Sequence, residues 1–487
     1  MHFTLSRAQI FIRVSIVACS SELYPLKLFR MSSNKKKSKC KNCAKYDTNN
    51  TWWCKPCNAE RFREDFSKWT SGNEFVDKFI QNAQLSARNR EEVIEWIPYE
   101  KFQNVEYIAQ GGFSKIFKAD WPKGRIICSG IKTTKWWRED RTIQVALKSI
   151  NDSRNIIKEF LEELQNHLKY LHYFSDETSQ HKASRLLIHG ITREPSTNNF
   201  TLVTDYMVRG SLRTRLQNPD LPQFEWSSVL LSLRDLSICL SLMHEAGLIH
   251  RDIHSGNILC GFVDLPYLAD FGLSRNLSYG NEEKIFGILP YVAPEVLNKQ
   301  PYTQAADIYS FGMILWEYLS HAPPFSDRAH DLKLCLDIQN GLRPKILSGT
   351  PTIYANLMKQ CWDANPEKRP TAQQVREIIF EWHTAYVLYR SDKPLTKEQE
   401  EFGKIFAAAE EYRLNIGHGG AGKGQIVGFA KHPEAWTVSR LLDFSFLEKN
   451  PQKPELEIVD EEKEILDKTG YLITYRSTQL LEIPDED

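Results

Sequence analysis

The sequence predicts an α+β fold in two lobes, because two kinds of secondary structure follow one another along the chain. The segments 105–120 and 144–150 are rich in apolar and β-branched residues and have strand character. Helical periodicity then recurs in six segments, 155–172, 226–246, 303–320, 331–340, 352–362 and 371–389. Strand-rich sequence followed by helix-rich sequence is typical of an α+β arrangement.

The bulk composition is that of an ordinary globular protein. The 487 residues include 62 basic and 62 acidic side chains, and 41% are hydrophobic. A net charge of zero gives no electrostatic reason to predict specific binding to nucleic acid. No sequence window reaches the ~18 uninterrupted apolar residues of a membrane helix. Because one core stops growing near ~250–300 residues, we expect one large domain with appended units.

Residues 1–39 are predicted to be a disordered or over-extended start. The apolar run from Ile10 to Ala18 has the character of a signal-peptide core, but Arg13 interrupts it. Met31 opens a polar, lysine-rich stretch typical of the start of a cytosolic protein. Six scattered single cysteines also favour a reducing compartment. We therefore expect a cytoplasmic location, with the nucleus as the alternative, and do not favour a signal peptide.

Four cysteines form two close pairs near the N-terminus. They are Cys40, Cys43, Cys54 and Cys57. Two C-x2-C pairs separated by ten residues can close a tetrahedral site, so we predict a structural zinc motif over 40–57. The spacing resembles that of a family of small zinc fingers. Asp47 stands where that family has an asparagine, and its tryptophan before the first cysteine is absent, so its RNA- and ubiquitin-binding roles do not transfer.

The segments flanking the large domain are predicted to be a linker and a tail. Residues 61–98 read as a helical linker that packs on the next domain or holds the cysteine motif away from it. Residues 392–487 have broken periodicity and are predicted to be a mostly flexible tail. Within the tail, 434–442 is either a docking segment or an exposed amphipathic turn. Residues 417–423 fit the start of a phosphate-binding loop, but Gly424 replaces its Ser/Thr, so we interpret them as linker.

Six short motifs follow one another in the large domain, and their order and spacing are more specific than any one of them. They are Ile108–Ala119, Val145–Lys148, Leu202–Met207, Ile249–Ile258, Asp270–Gly272 and Ala293–Glu295. In these motifs the chain resembles a eukaryotic-type protein kinase, closest to the tyrosine-kinase-like group. The resemblance implies a bilobal kinase domain over 102–386, with a small β-rich N-lobe and a large helical C-lobe. The zinc module and flexible tail would be appended to it.

The resemblance implies five catalytic residues. They are Lys148, Glu163, Asp252, Asn257 and Asp270. Lys148 would hold the α- and β-phosphates of ATP and pair with Glu163, or with Glu162 if the helix register differs. Asp252 would accept the proton of the substrate hydroxyl. Asn257 and Asp270 would bind magnesium.

The same resemblance predicts which residues contact ATP. They are Ile108, Ala109, Gln110, Gly111, Gly112, Phe113, Ser114, Ile116, Ala146, Lys148, Thr204, Asp205, Met207, Ser211, Asn257, Leu259 and Asp270. Glycine in the first of these motifs allows backbone amides to approach the phosphates. Ala109 and Ser114 replace two glycines of the family pattern, and both are small. Thr204 falls at the position that controls access to the pocket behind the adenine.

Two positions depart from the serine/threonine kinase pattern. His254 stands where a lysine contacts the γ-phosphate, and Ile288 where a threonine bonds to that lysine. The signatures of receptor-type tyrosine kinases are absent as well. Because the tyrosine-kinase-like group mostly modifies serine or threonine, we expect that specificity, with tyrosine or dual specificity left open. A pseudokinase scaffold is the alternative, and a third hypothesis makes the zinc module the functional end.

Further residues are expected to support or regulate the domain. Asp307 would brace the catalytic loop, and Arg369 would pair with Glu295. Arg251 would pair with a phosphorylated residue of the activation segment; the candidates are Ser274, Ser278 and Tyr279. Besides protein substrates, a protein partner of the zinc module or tail is a possible interaction. An insertion over 128–141 is predicted to be a surface loop whose two tryptophans are a candidate partner site.

Overall fold

The structure is a computed structural model. It describes residues 40, 43, 53–112, 114–129, 136–139, 141–151, 153, 157–176, 185–218, 225–261, 264–271, 275–276, 285–391, 393–418, 431–442, 462–466 and 472–476. The predictions for residues 1–39, Phe113, Gly272 and the three candidate phosphorylation sites lie outside the described residues. The α+β, two-lobed architecture is confirmed.

Two helices lie in the N-terminal region. The first, α1 (Lys55–Asp65), begins within the predicted cysteine motif and runs into the predicted linker, and α2 (Glu74–Ser86) lies within the linker. The side chain of Asn73 accepts hydrogen bonds from two backbone N–H groups in the first turn of α2, which satisfies donors that would otherwise have no partner. Val76 and Ile80 of α2 are fully buried in the core of the small lobe. The linker therefore packs on the following domain.

Between residues 95 and 205, the described part of the small lobe contains eight strands. They are β1 (Glu95–Trp96), β2 (Gln103–Gln110), β3 (Ser114–Trp121), β4 (Ile126–Ser129), β5 (Trp136–Arg138), β6 (Ile143–Ile150), β7 (Ile188–Arg193) and β8 (Phe200–Asp205). Six of them form one sheet in the order β1-β7-β8-β6-β3-β2, with β1 parallel to β7 and the other pairs antiparallel. The helix α3 (Ile157–Asp176) lies over the sheet and buries Phe160 and Leu164.

The remaining pair, β4 and β5, forms a separate hairpin in the insertion that we predicted to be a surface loop. Trp136 stacks on Phe62 of α1, with ring centroids 4.3 Å apart, and its Nε1 donates to Asp65 at 2.9 Å. Trp53 completes this aromatic cluster, with its ring centroid 6.4 Å from those of both Trp136 and Phe62. Trp137 is exposed. Trp136 is thus half-buried against this aromatic cluster, and the candidate partner site at the two tryptophans stays a prediction.

Between residues 212 and 390, the described part of the large lobe contains seven helices and several short strands. The helices are α4 (Leu212–Gln217), α5 (Trp226–Glu245), α6 (Pro294–Leu297), α7 (Gln304–Ser320), α8 (Leu332–Gln339), α9 (Thr352–Cys361) and α10 (Ala372–Arg390). The strands are β9 (Leu248–Ile249), β10 (Ile258–Cys260), β11 (Pro266–Leu268), β12 (Arg275–Asn276) and β13 (Ile285–Gly287). Short 3₁₀ turns lie at Phe66–Lys68, Arg90–Glu92, Tyr99–Lys101, Leu289–Tyr291 and Pro366–Lys368. Among the described helices, α5 alone is long and apolar enough to cross a membrane, but most of it is buried in this core.

The predicted tail contains three ordered parts among the described residues, which corrects that prediction for them. Helix α11 (Lys397–His418) packs on α10 and buries Phe406 and Ala409 in the core of the large lobe. Residues 431–442, called the tail segment below, end in β14 (Arg440–Leu442), which pairs antiparallel with β13. A hairpin of β15 (Glu462–Leu466) and β16 (Leu472–Arg476) follows. The broken apolar periodicity of this region concealed its contacts with distant parts of the chain.

Candidate active site

Lys148 connects the two lobes. It lies on the central strand β6, and its Nζ donates to Glu163 of α3 at 2.7 Å and to Asp270 at 2.8 Å. Burial would lower the pKa of Lys148, but the charges of Asp270 and Glu163 outweigh it and raise that pKa, so the ammonium stays charged. Glu162 is not the partner, since its carboxylate lies 3.9 Å from Lys158 on the outer face of α3.

Asp270 is held in an unusual backbone conformation. Its φ of 64° lies in the left-handed region, which is uncommon for residues other than glycine and often occurs at functional sites. The next residue, Phe271, is buried against His167 and Tyr170 of α3, with ring centroids 4.5 Å and 5.1 Å away. Burial lowers the pKa of His167 to about 4, so this contact is made by a neutral ring. Phe271 thereby ties α3, and hence Glu163, to Asp270.

Asp252 lies in the loop between β9 and β10. The side-chain amide of Asn257 donates to both the backbone carbonyl and the carboxylate of Asp252, each at 3.0 Å. Asp307 at the start of α7 accepts the backbone N–H groups of His250 and Arg251 at 2.8 Å and 2.9 Å. The predicted brace is therefore present, and it supports the left-handed Arg251, whose φ is 72°.

A second anchor lies deeper in the large lobe. The guanidinium of Arg369 makes two hydrogen bonds of 2.7 Å to the carboxylate of Glu295, and the Arg369 side chain is completely buried. Such a bidentate pair fixes the end of the segment that begins at Asp270, since breaking a buried pair leaves an uncompensated charge. This is the pairing that the sequence predicts.

The predicted ATP contacts of the small lobe lie on neighbouring strands. In register, Ile116 lies opposite Lys148 and Ala146 opposite Thr204. The turn between β2 and β3 is closed by a 2.8 Å bond from the Gly111 N–H to the Ser114 carbonyl. The structure places the remaining contacts of this group, Ile108, Ala109, Gln110 and Gly112, on this hairpin.

Two predicted ATP contacts at the connection between the lobes, Asp205 and Ser211, use their side chains in hydrogen bonds within the protein. The Asp205 carboxylate accepts from the Leu187 N–H at 3.0 Å and lies 2.9 Å from His189. Burial would raise the pKa of Asp205, but His189 and the backbone bond lower it overall. Ser211 caps α4, and an isolated β-bridge joins it to Leu259. The Met207 carbonyl accepts from Gly210. The side chains of Asp205 and Ser211 are thus engaged in bonds within the protein.

His254 and Ile288, the two unusual positions, behave differently. His254 is buried and its Nδ1 accepts from the Gly256 N–H at 3.0 Å, so its Nε2 carries the ring proton. That Nε2 lies 2.9 Å from the Ser439 hydroxyl, which in turn donates to Asp252 Oδ1 at 2.9 Å. Ile288 is packed in the core of the large lobe. The sequence predicted no role for Ser439, although it identified 434–442 as a candidate docking segment.

The four cysteines near the N-terminus converge. Their Sγ atoms all lie within 4.8 Å of one another, with 3.9 Å between Cys40 and Cys57 and 3.6 Å between Cys43 and Cys54. Thiolates around a tetrahedral zinc ion are about 3.8 Å apart, so the spacing fits that ion. Burial, the largest cause, and the neighbouring thiols raise the pKa of Cys54 to about 11. A bound cation would favour the thiolates instead.

Comparisons with known proteins agree with this geometry. Residues 102–379 match the family model described as protein tyrosine and serine/threonine kinase. A mimivirus protein named “Putative serine/threonine-protein kinase/receptor” is 30% identical over 56% of this chain and 16% of its own length. A serine/threonine/tyrosine-protein kinase of Arabidopsis thaliana is 31% identical over 37% of this chain and 46% of its own length. A serine/threonine-protein kinase of the same plant is 30% identical over 48% of this chain and 40% of its own length. The matches thus span less than half the length of these relatives.

Proposed function

The chain belongs to the protein tyrosine and serine/threonine kinase family, and from this premise we propose that it transfers the γ-phosphate of ATP to hydroxyl groups of proteins. The observation that carries the proposal is that two ends of one site are joined, because the Ala269 N–H beside Asp270 donates to the Asn257 carbonyl at 2.9 Å. We call Lys148, Glu163 and Asp270 the nucleotide end, and Asp252, Asn257 and His254 the acceptor end. Both ends have the hydrogen bonds that phosphoryl transfer requires.

At the nucleotide end, Lys148 is charged and held between two carboxylates, so its Nζ is oriented to bind phosphate oxygens. The Asn257 side-chain N–H donates to Asp252, so its Oδ1 and the Asp270 carboxylate are the groups that would hold magnesium. Magnesium held there would offset the charge of the transferring phosphoryl group. These residues fit that ion, because hard oxygen donors are its preferred ligands.

At the acceptor end, Asp252 accepts a hydroxyl proton through its carboxylate. The 2.9 Å bond from Ser439 to Asp252 gives an example of an aliphatic hydroxyl in that position. This observation, together with the names of the relatives, supports serine or threonine as the acceptor residue. Protein substrates are accordingly the partners that we propose.

The test is transfer of labelled γ-phosphate from MgATP to an added acceptor protein, followed by phosphoamino-acid analysis. Lys148→Met removes the phosphate-binding charge and should lower the rate roughly 10²–10³-fold. Lys115→Met is the matched control, because Lys115 is an exposed lysine on the adjacent strand β3 and should transfer at the wild-type rate. Phosphoserine or phosphothreonine is the expected product.

Two results would contradict the proposal. Equal transfer by wild type and Lys148→Met would mean that the activity does not arise at this site. Binding of ATP without transfer to any acceptor would favour a pseudokinase scaffold.

We also propose that the cysteine cluster holds a structural zinc ion. Four sulfur donors at tetrahedral spacing and the absence of an oxygen ligand among the described members of the cluster support zinc over magnesium or calcium. Metal analysis of the purified chain should find one zinc per molecule, and none when Cys43 and Cys54 are both replaced by serine.

A further inference from the structure

The tail segment is docked along the large lobe beside the acceptor end. At its start, the His432 N–H donates to the Ser326 carbonyl at 2.9 Å, and the Glu434 carbonyl accepts the His330 N–H at 3.1 Å. The Trp436 ring packs edge-on against His330 and on the core of the large lobe. The C-terminal end of the tail segment is fixed by the pairing of β14 with β13 and by the burial of Leu442.

Between these two attachments lies Ser439, which is buried and placed between Asp252 and His254. The Nε2–H of His254 donates to the Ser439 oxygen, so the serine proton is directed to Asp252 Oδ1. Both heavy-atom distances are 2.9 Å. The proton of the Ser439 hydroxyl is thus directed at the Asp252 carboxylate, the base that would remove it. A hydroxyl held in this way is arranged as a phosphoacceptor would be before transfer.

The backbone around Ser439 is held on both sides. Arg213 of α4 donates to the Thr437 carbonyl and, at 3.1 Å, to the Ser255 hydroxyl of the loop that carries Asp252. From the small lobe, Gly112 lies directly against the Ser439 carbonyl, and a Cβ at position 112 would overlap that oxygen. The turn between β2 and β3 therefore contacts Ser439 from the small lobe, and Asp252 and His254 contact it from the large lobe.

The register continues past the serine as it would for a bound peptide. Arg440 pairs with Gly287, whose φ of 140° is a conformation that favours glycine, and Leu442 pairs with Ile285. Adding a strand to an exposed edge is a common way in which proteins bind extended peptides. The leucine three positions after the serine is buried in the large-lobe core, whereas Leu441 is exposed.

We propose that Ser439 is phosphorylated by the site of its own chain, an inference that rests on the proposed kinase function. In this step, the Ser439 oxygen forms a bond to the γ-phosphorus of ATP. The bond between that phosphorus and the oxygen bridging it to the β-phosphate breaks. The serine proton passes to Asp252, and ADP leaves with the electron pair of the broken bond.

The docked segment has consequences for other substrates. Before transfer it occupies the position that another protein's serine needs, so it competes with that protein. After transfer, a phosphate of about −1.5 to −2 charge lies beside Asp252 and disfavours the docked state. The same contacts define the substrate class: an extended peptide that carries a leucine three positions after the serine, because Leu442 is buried in the large-lobe core.

The direct test is to incubate the purified full chain with MgATP and map phosphopeptides by mass spectrometry. Ser439 should be modified with a first-order rate constant that does not change with protein concentration. A tagged Lys148→Met chain mixed with wild type should remain unmodified at Ser439. Ser439→Ala should lose this phosphate, whereas Ser391→Ala, which changes an exposed serine at the end of α10, should retain it.

An added acceptor protein in the same reaction separates the two proposals. If wild type modifies that protein but not Ser439, the role of Ser439 is wrong and the kinase function stands. If neither is modified, the kinase function itself fails. Modification of Ser439 in the tagged Lys148→Met chain would overturn transfer within one chain.

Discussion

The two ends of the site are built in different ways. At the nucleotide end, Lys148, Glu163 and Asp270 hold one another by ion pairs across three separate elements. At the acceptor end, Asp252 and His254 are joined by a serine that lies 185 residues after His254 in the chain. The first end is built entirely from residues of the matched region, 102–379, whereas the second is closed by a segment from outside it. The comparison suggests that catalysis and substrate access are controlled by different parts of the sequence.

The largest effect that distinguishes the two ends is expected from Gly112→Ala. The added methyl group would overlap the Ser439 carbonyl, so the turn and the tail segment must move apart. Because a displacement of about 1 Å can cost 10²-fold, we expect Ser439 phosphorylation to fall at least about tenfold relative to phosphorylation of an added acceptor. The measurement is the ratio of the two initial rates in one reaction.

Gly111→Ala is the matched control. A Cβ at position 111 would lie 3.4 Å from the Ser114 hydroxyl and would not meet the tail segment. This variant should change both rates by the same factor. An unchanged ratio for Gly112→Ala would show that the turn does not close on Ser439 in solution.

The smallest effect at either end is expected from removal of zinc. The cysteine cluster adjoins α1, whose Phe62 stacks on Trp136, and this apolar cluster is separate from the nucleotide and acceptor ends. A zinc-selective chelator in excess magnesium should unfold the cysteine motif, because structural zinc sites supply folding energy. Circular dichroism and proteolysis of the N-terminal region report the unfolding.

Transfer to an added acceptor, and to Ser439, should remain near the rate of the untreated chain. Loss of transfer in step with zinc would instead mean that the module supports the small lobe.

Much of the fold could be predicted because it is encoded locally. The helix predicted over 226–246 is observed at Trp226–Glu245, and the one over 371–389 at Ala372–Arg390. Apolar residues at helical spacing mark both helices in the sequence. Thr371 and Gln374 also form a capping box at the start of the second one. Catalytic motifs are equally local, since the spacing of Asp252 and Asn257 fixes their contact within one loop.

What could not be predicted depends on contacts between distant residues. Nothing near Ser439 reveals that Asp252 is its neighbour, because the pairing of β14 with β13 joins segments more than 150 residues apart. The burial of Trp136 likewise depends on α1, which comes long before it. The choice between Glu162 and Glu163 needed the orientation of α3 against β6, which spacing alone left open.

The most direct test of the central claim, phosphoryl transfer with Asp252 as the base, is the rate of γ-phosphate transfer by Asp252→Asn. An amide cannot accept the hydroxyl proton, so we expect transfer to both Ser439 and an added acceptor to fall about 10²–10⁴-fold. ATP binding should persist, because Lys148, Glu163 and Asp270 hold one another without Asp252. Retention of wild-type transfer rates by Asp252→Asn would contradict the account.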